Sequence, residues 1–261
     1  KVFFPESGTT KGDLIAYPID FTPLLLRSAG ERPLTLHRFP DGIDGEGFYQ
    51  KNAADYFPDW VETLRVPKED GSINHVILNE QATLMYLVNL GTVAFHIWLS
   101  KRPELRKPDK MIFDLDPPEG GGFDEVIFAA RKLKEMLEGV GLAVFVMTTG
   151  SKGLHVIVPI MEGPDFDEVR DFARKLAEKL AGRFPKRLTT ETHIEKRKGR
   201  VFLDYLRNAY AQTSVLPYSV RAIESAPVAT PLKWEELEGD ISPQKFNIGN
   251  IRERRSKGIE P

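Results

Sequence analysis

Apolar positions along this chain fall into two rhythms. Strict alternation marks Met111-Ile112-Phe113-Asp114-Leu115-Asp116, where a strand projects Asp114 and Asp116 to one face and Met111, Phe113 and Leu115 to the other. Pro117 and Pro118 close that strand. Helical spacing follows Phe123-Asp124, with Val126, Ile127, Ala130, Leu133 and Leu137 on one stripe and Gly139 and Gly141 as stops. A second helix is expected over roughly Asp167 to Ala181, with Val169, Phe172, Ala173, Leu176 and Leu180 as its buried stripe and Gly182 after it. Between the helices, 143–147 and 154–160 read as strands joined by Thr148-Thr149-Gly150-Ser151-Lys152-Gly153. Further along, Val201-Phe202-Leu203-Asp204-Tyr205-Leu206 reads as another apolar strand, with Asp204 sharing a face with Phe202 and Leu206.

Upstream, residues 79–90 read as a helix and 93–99 as a strand with His96 opposite Phe95 and Ile97; 34–39 and 74–78 are further strands. Pro18, Pro23 and Pro33 predict short, broken elements in the N-terminal third. Short strands alternating with strong amphipathic helices indicate an α/β (α+β) fold. The expectation is one two-lobed unit over 1–261, a central mixed or antiparallel sheet flanked by helices.

Composition narrows the chemistry. With 261 residues and 41% hydrophobic content the chain can bury a large core, and no stretch has the apolar length of a membrane helix. The start, Lys1-Val2-Phe3-Phe4-Pro5, lacks the form of a signal peptide, so a cytoplasmic location is expected. The absence of cysteine excludes disulfides and thiolate metal sites, leaving oxygen and imidazole ligands. A net charge of −2 hides a basic run between Arg183 and Arg200 that is suited to a phosphate backbone or to a solvated loop.

Asp114-x-Asp116 by itself is a common strand ending, but Asp204 interrupts a second apolar run, where a lone carboxylate is costly. Three such carboxylates suit a pair of hard divalent cations; the competing reading is a buried ion pair of Asp204 with Arg207. His155 follows the glycine turn and is placed either to donate to a phosphate or to serve structurally; the turn lacks Walker A spacing. Arg207 and Arg221 are candidate cations for a triphosphate. Phe48-Tyr49-Gln50-Lys51-Asn52 sets aromatics beside a cation and an amide, either as a base-stacking platform or as core. Lys1 and Lys11 flank Gly8-Thr9-Thr10 and, from the residues alone, read as surface lysines.

Taken together, these stretches resemble the polymerase domain of the prokaryotic non-homologous end-joining ligase LigD, a branch of the archaeo-eukaryotic primase superfamily. The likeness runs through Lys1 to Pro5, Gly8 to Gly12, Leu34 to Asp41, Phe48 to Asn52, Phe113 to Pro117, Thr149 to Val156, Phe202 to Asn208, Ser219 to Arg221 and Ala226 to Leu232. It implies that Asp114, Asp116 and Asp204 hold two Mn²⁺ or Mg²⁺ ions. It further implies that Thr149, Lys152, His155, Arg207 and Arg221 line a nucleoside triphosphate, that His96 approaches the sugar, and that Phe48 lies under the incoming base. Lys1 and Lys11 would grip a 5′-phosphate on a DNA end, with Tyr49, Lys51 and Asn52 by the template path. The implied activity is templated end filling with ribonucleotides preferred over deoxyribonucleotides, in the nucleoid, alongside Ku and a DNA ligase. No Lys-x-Asp-Gly adenylation motif is present, because Phe39 precedes Pro40-Asp41-Gly42, so the chain is not expected to seal nicks. A de novo primase, a non-catalytic end tether and a metal-dependent phosphohydrolase are the alternatives.

Overall fold

The computed structural model describes residues 1–161 and 163–256. Strands β1 (Val2–Phe4) and β2 (Thr9–Thr10) form a small ribbon that leads into α1 (Lys11–Ala29). Then come β3 (Leu34–Arg38), β4 (Phe48–Gln50), the hairpin β5 (Thr63–Lys68) and β6 (Gly71–Val76), α2 (Gln81–Asn89) and β7 (Thr92–Trp98). The second half runs β8 (Lys110–Asp116), α3 (Phe123–Glu138), β9 (Phe145–Thr148), β10 (Leu154–Pro159), α4 (Phe166–Arg183), β11 (Leu188–Thr189), α5 (Ile194–Arg197) and β12 (Val201–Asp204). It closes with β13 (Thr213–Val215), β14 (Thr230–Leu232) and α6 (Ile251–Ser256).

Two principal sheets result. The first is antiparallel, in the order β13-β7-β3-β4; the second has the order β11-β12-β8-β10-β9-β14, with only β11 and β12 parallel. Each has its own apolar core. Phe3, Tyr17, Phe21, Leu34, Leu36, Phe95 and Ile97 belong to one, and Met111, Phe113, Leu115, Val126, Leu133, Val156 and Leu180 to the other. The mixed α/β fold expected from the alternation of strands with amphipathic helices is present, but in place of the one central sheet expected there are two principal sheets, each packed on its own core.

Four local expectations are corrected. Pro18 and Pro23 do not break the first helix but lie inside α1, whose Leu14, Tyr17, Pro18, Phe21, Leu24 and Leu25 are buried. Burying that face outweighs the two lost backbone donors, and the Thr10–Asp13 capping box fixes the helix start. Phe172 is 43% exposed, and Phe166 and Ala177 join the buried stripe of α4 instead. Strand β12 ends at Asp204, so Leu206 does not share its strand face; Leu206 begins a 3₁₀ turn and is exposed. The strand expected at 74–78 is the second arm of the β5–β6 hairpin, whose first arm carries Pro67 and charged residues that obscure its alternation.

The basic run also resolves into local structure. Arg187 makes a two-point contact with Glu125 at 2.8 and 3.0 Å, Arg197 covers the Phe202 ring, and Arg200 donates to Arg197 O. Lys186, Lys196 and Lys198 remain exposed.

Candidate active site

The cleft between the two sheets brings most of the expected residues together. β8 lies between β10 and β12, with His155 and Asp204 both paired to Asp114. Because cross-strand partners project to the same face, His155, Asp114 and Asp204 form a row. Asp116 lies one pleat further along β8, opposite Phe202. Asp114 and Asp204 are each only 8% exposed. A cavity of about 180 Å³ opens on His155, Asp114 and Asp116, and its walls include His96, Thr149, Lys152, Arg207 and Arg221; Asp204 is outside this lining and adjoins it through Arg207. A larger groove of about 840 Å³ shares Asp116 and Lys152 and continues along α5.

The electrostatics follow from crowding three carboxylates. Burial, then repulsion from Asp114 and Asp204, pushes the Asp116 carboxyl up to about 6. Burial likewise raises Asp204, whose Oδ1 accepts a 2.7 Å bond from the Leu206 amide. Burial opposes ionisation of Asp114 too, but contact with His155 and the charges of Arg207 and Arg221 hold it below the usual range. Arg207 Nε stands 3.3 Å from Asp114 and 3.5 Å from Asp204, so the sequence-level alternative of an Asp204–Arg207 ion pair is present in the fold. His155 Nε2 is 3.5 Å from Asp114, and its Nδ1 is enclosed with no hydrogen-bond partner among the described residues.

The glycine turn is rigid. Thr149 N donates to Gly153 O at 3.0 Å, and Thr149 Oγ1 accepts from the amides of Ser151 and Gly153 at 3.3 Å, so this hydroxyl is engaged in its own turn. Arg221 Nη1 donates to Thr149 O at 3.0 Å, which fixes that guanidinium at the cavity wall. A Cβ on Gly153 would lie 2.1 Å from Leu115 O, a backbone atom that cannot retreat without breaking β8. Gly153→Ala is therefore expected to destabilise the protein by about 3 kcal/mol, since overpacking forces backbone shifts of that cost. Urea unfolding of the purified variant checks this; a midpoint equal to wild type would refute it.

Next to His96, outside the cavity lining, β4 sorts its aromatics by face. Tyr49 stacks on His37 at 4.1 Å with a 9° interplanar angle and meets His96 edge-on at 5.8 Å. Phe48 lies on the other face, with the Arg38 guanidinium 5.3 Å from its ring centre. Both aromatics are exposed. It is thus Tyr49, rather than Phe48, that shares the His96 face. Burial, then the charge of Arg221, lowers His96 to about 3, which keeps the ring neutral, and its Nε2 is enclosed with no hydrogen-bond partner among the described residues.

The family model for the LigD primase-polymerase domain matches residues 10–261. The chain belongs to the LigD primase-polymerase family. It is 34% identical to the bifunctional non-homologous end joining protein LigD of Bacillus subtilis over 98% of this chain and 41% of that protein. It is 33% identical to the multifunctional non-homologous end joining protein LigD of Pseudomonas aeruginosa over 96% of this chain and 30% of that one. The chain therefore spans well under half the length of these relatives. A solved structure of the polymerase domain of Mycobacterium tuberculosis Ligase D in complex with DNA superposes with a TM-score of 0.92 at 28% identity, covering 98% of this chain and 92% of that one.

Several residues of this LigD primase-polymerase chain lie away from the cavity. Lys1 O accepts from Lys11 N at 2.8 Å, which places the two lysines side by side at the start of α1, and Lys1 Nζ pairs with Asp41 at 2.6 Å. Lys51 is exposed, whereas Asn52 is occupied structurally, its Oδ1 accepting from Asn74 N at 2.8 Å. The cavity also has wall residues that sequence reasoning missed, namely Ser151 on the turn and Thr213, Ser214 and Val215 on β13. His37, stacked under Tyr49 outside the cavity lining, is another omission; nothing in the sequence sets it opposite Tyr49.

The donor set fits hard divalent cations: three carboxylates, Asp114 and Asp204 side by side on paired strands, and an Asp116 whose ionisation is opposed first by burial and then by repulsion from the other two. Among the described residues no three His, Asp or Glu side chains close on one point as they stand. Arg207, against Asp114 and Asp204, occupies the position of a cation there. Among the described residues, no helix is long and apolar enough to cross a membrane.

Proposed function

We propose that this chain is a template-directed nucleotidyltransferase that extends or fills DNA ends and gaps during non-homologous end joining. The observation that carries this reading is the pairing of Asp114 with Asp204 and His155, with Asp116 one pleat along, beside a cavity lined by Lys152, Arg207 and Arg221, within a LigD primase-polymerase chain. Two Mn²⁺ or Mg²⁺ ions held by Asp114, Asp116 and Asp204 would supply activation of the primer 3′-hydroxyl and charge neutralisation on the triphosphate. The chain's own residues do the positioning. Lys152, Arg207 and Arg221 offset triphosphate charge, and the enclosed His155 holds one carboxylate in place while facing the phosphates.

Tyr49, backed by His37, serves as the base platform on the site side, and Phe48 with Lys51 serves the template strand. The neutral His96 faces the sugar and favours ribonucleotides by bonding a hydroxyl that deoxyribonucleotides lack. Lys1 and Lys11 take a recessed 5′-phosphate, with Lys1 exchanging Asp41 for it. Ribo- and deoxyribonucleoside triphosphates are the substrates, and DNA ends, Ku and a DNA ligase are the partners. The relatives' names and the DNA-bound structural neighbour support this assignment.

The test is a gapped duplex with a labelled primer and Mn²⁺, with and without a 5′-phosphate across the gap, offering either nucleotide class. Templated extension, stronger with the phosphate and with ribonucleotides, is expected. Phosphate-dependent binding with no extension would replace the enzyme reading with an end tether, unprimed synthesis would make the chain a primase, and strand cutting would make it a hydrolase.

A further inference from the structure

Arg207 is the side chain whose position is least explained by a role on the triphosphate alone. Its Nε reaches both Asp114 and Asp204, at 3.3 and 3.5 Å. These are long contacts beside a tight charge-assisted pair, which closes to about 2.8 Å, as Arg187 does on Glu125. The backbone on either side is pinned. Leu206 N donates to Asp204 Oδ1 at 2.7 Å, Asn208 Nδ2 donates to Ile112 O at 2.7 Å, and Ile112 N returns a bond to Asn208 Oδ1 at 2.8 Å. The Arg207 side chain is 42% exposed, so solvent leaves it room to turn about this pinned backbone. Arg221 has no such freedom, being bonded to Thr149 O and packed against Gly150.

Two carboxylates facing each other at 8% exposure need a positive charge between them. A divalent cation and a guanidinium cannot both take that place. We propose that Arg207 is an internal counter-cation. It neutralises Asp114 and Asp204 in the nucleotide-free protein and leaves them when a triphosphate offers a better anionic partner, so metal uptake and triphosphate binding are coupled through this one side chain. The inference rests on the metal-site reading above. It adds that the protein, when empty, disfavours the metal it later uses.

The experiment is Mn²⁺ titration of the nucleotide-free full chain, followed by the electron paramagnetic resonance signal of free Mn²⁺, for wild type, Arg207→Gln and Arg207→Lys. The Gln variant is expected to bind Mn²⁺ about tenfold more tightly than wild type, because one partly screened positive charge has been removed from beside the ion. The Lys variant is expected to lie between them. In EDTA the Gln variant is expected to melt below wild type and to gain more on adding Mn²⁺. Equal or weaker Mn²⁺ binding by Arg207→Gln overturns the inference. If wild type still extends a gapped primer in that case, the polymerase reading stands without it. If the Gln variant binds more tightly but wild type extends nothing, the counter-cation stands and the polymerase reading falls.

Discussion

Asp204→Ala is expected to lower the rate of templated nucleotide addition by about a thousandfold or more, since on the proposed mechanism it removes one of the carboxylates that would hold the metal ions. Asp114→Ala should do the same, because these two side chains face each other across β8 and β12 and share the Arg207 contact. Binding of a DNA end should change little: Lys1 and Lys11 lie on the β1–β2 ribbon and the start of α1, outside the residues that form the cavity. Primer extension and fluorescence-anisotropy binding of a 5′-phosphorylated gapped duplex, run on the same preparations, separate the two effects. Retained extension by both variants would remove the metal-site assignment.

Asp116→Asn is expected to act in opposite directions on activity and on stability. Its carboxyl titrates at about 6 in the folded chain, against an ordinary value of 3.8. Between those values the native state holds a proton that the unfolded state has released, so the unfolded state binds fewer protons. Metal-free stability therefore falls as pH rises through that window, by about 3 kcal/mol from this group. Asn removes the ionisation. The variant should be more stable than wild type in EDTA at pH 7.5, should lose the slope between about pH 4 and pH 6, and should add no nucleotides. Chemical unfolding across that range checks it; a variant less stable than wild type at pH 7.5 would show that Asp116 makes a contact whose loss outweighs the relief of repulsion.

Much of the second sheet was legible because its signals are local. The alternation at Met111–Asp116, the stripes of α3 and most of α4, and the turn before His155 all lie within single elements. What failed was non-local. Tyr49 rather than Phe48 faces His96 because the register of β4 on β3 sets His37 opposite Tyr49, and no feature of 48–52 encodes that pairing. β13 is three residues long and joins the first sheet from beyond the second, so Thr213 and Ser214 carried no periodic signal. α1 was misread because proline counts were weighed without the burial that offsets them. Arg207 was legible as a cation, but whether it serves phosphate or aspartate depends on where a 3₁₀ turn starts. Sequence alternation had carried that strand two residues too far.

The cleft joins two sheets with separate apolar cores: the carboxylates stand on the second, while His96, Tyr49 and the β13 wall stand on the first. On the proposed function, the division gives the molecule two separate dials. Substitutions within the first sheet would retune which nucleotide is accepted while the reacting groups keep their mutual geometry, and changes behind β8 would alter turnover without rewriting base or sugar choice. On that reading, selectivity could drift under selection at little risk to the chemistry.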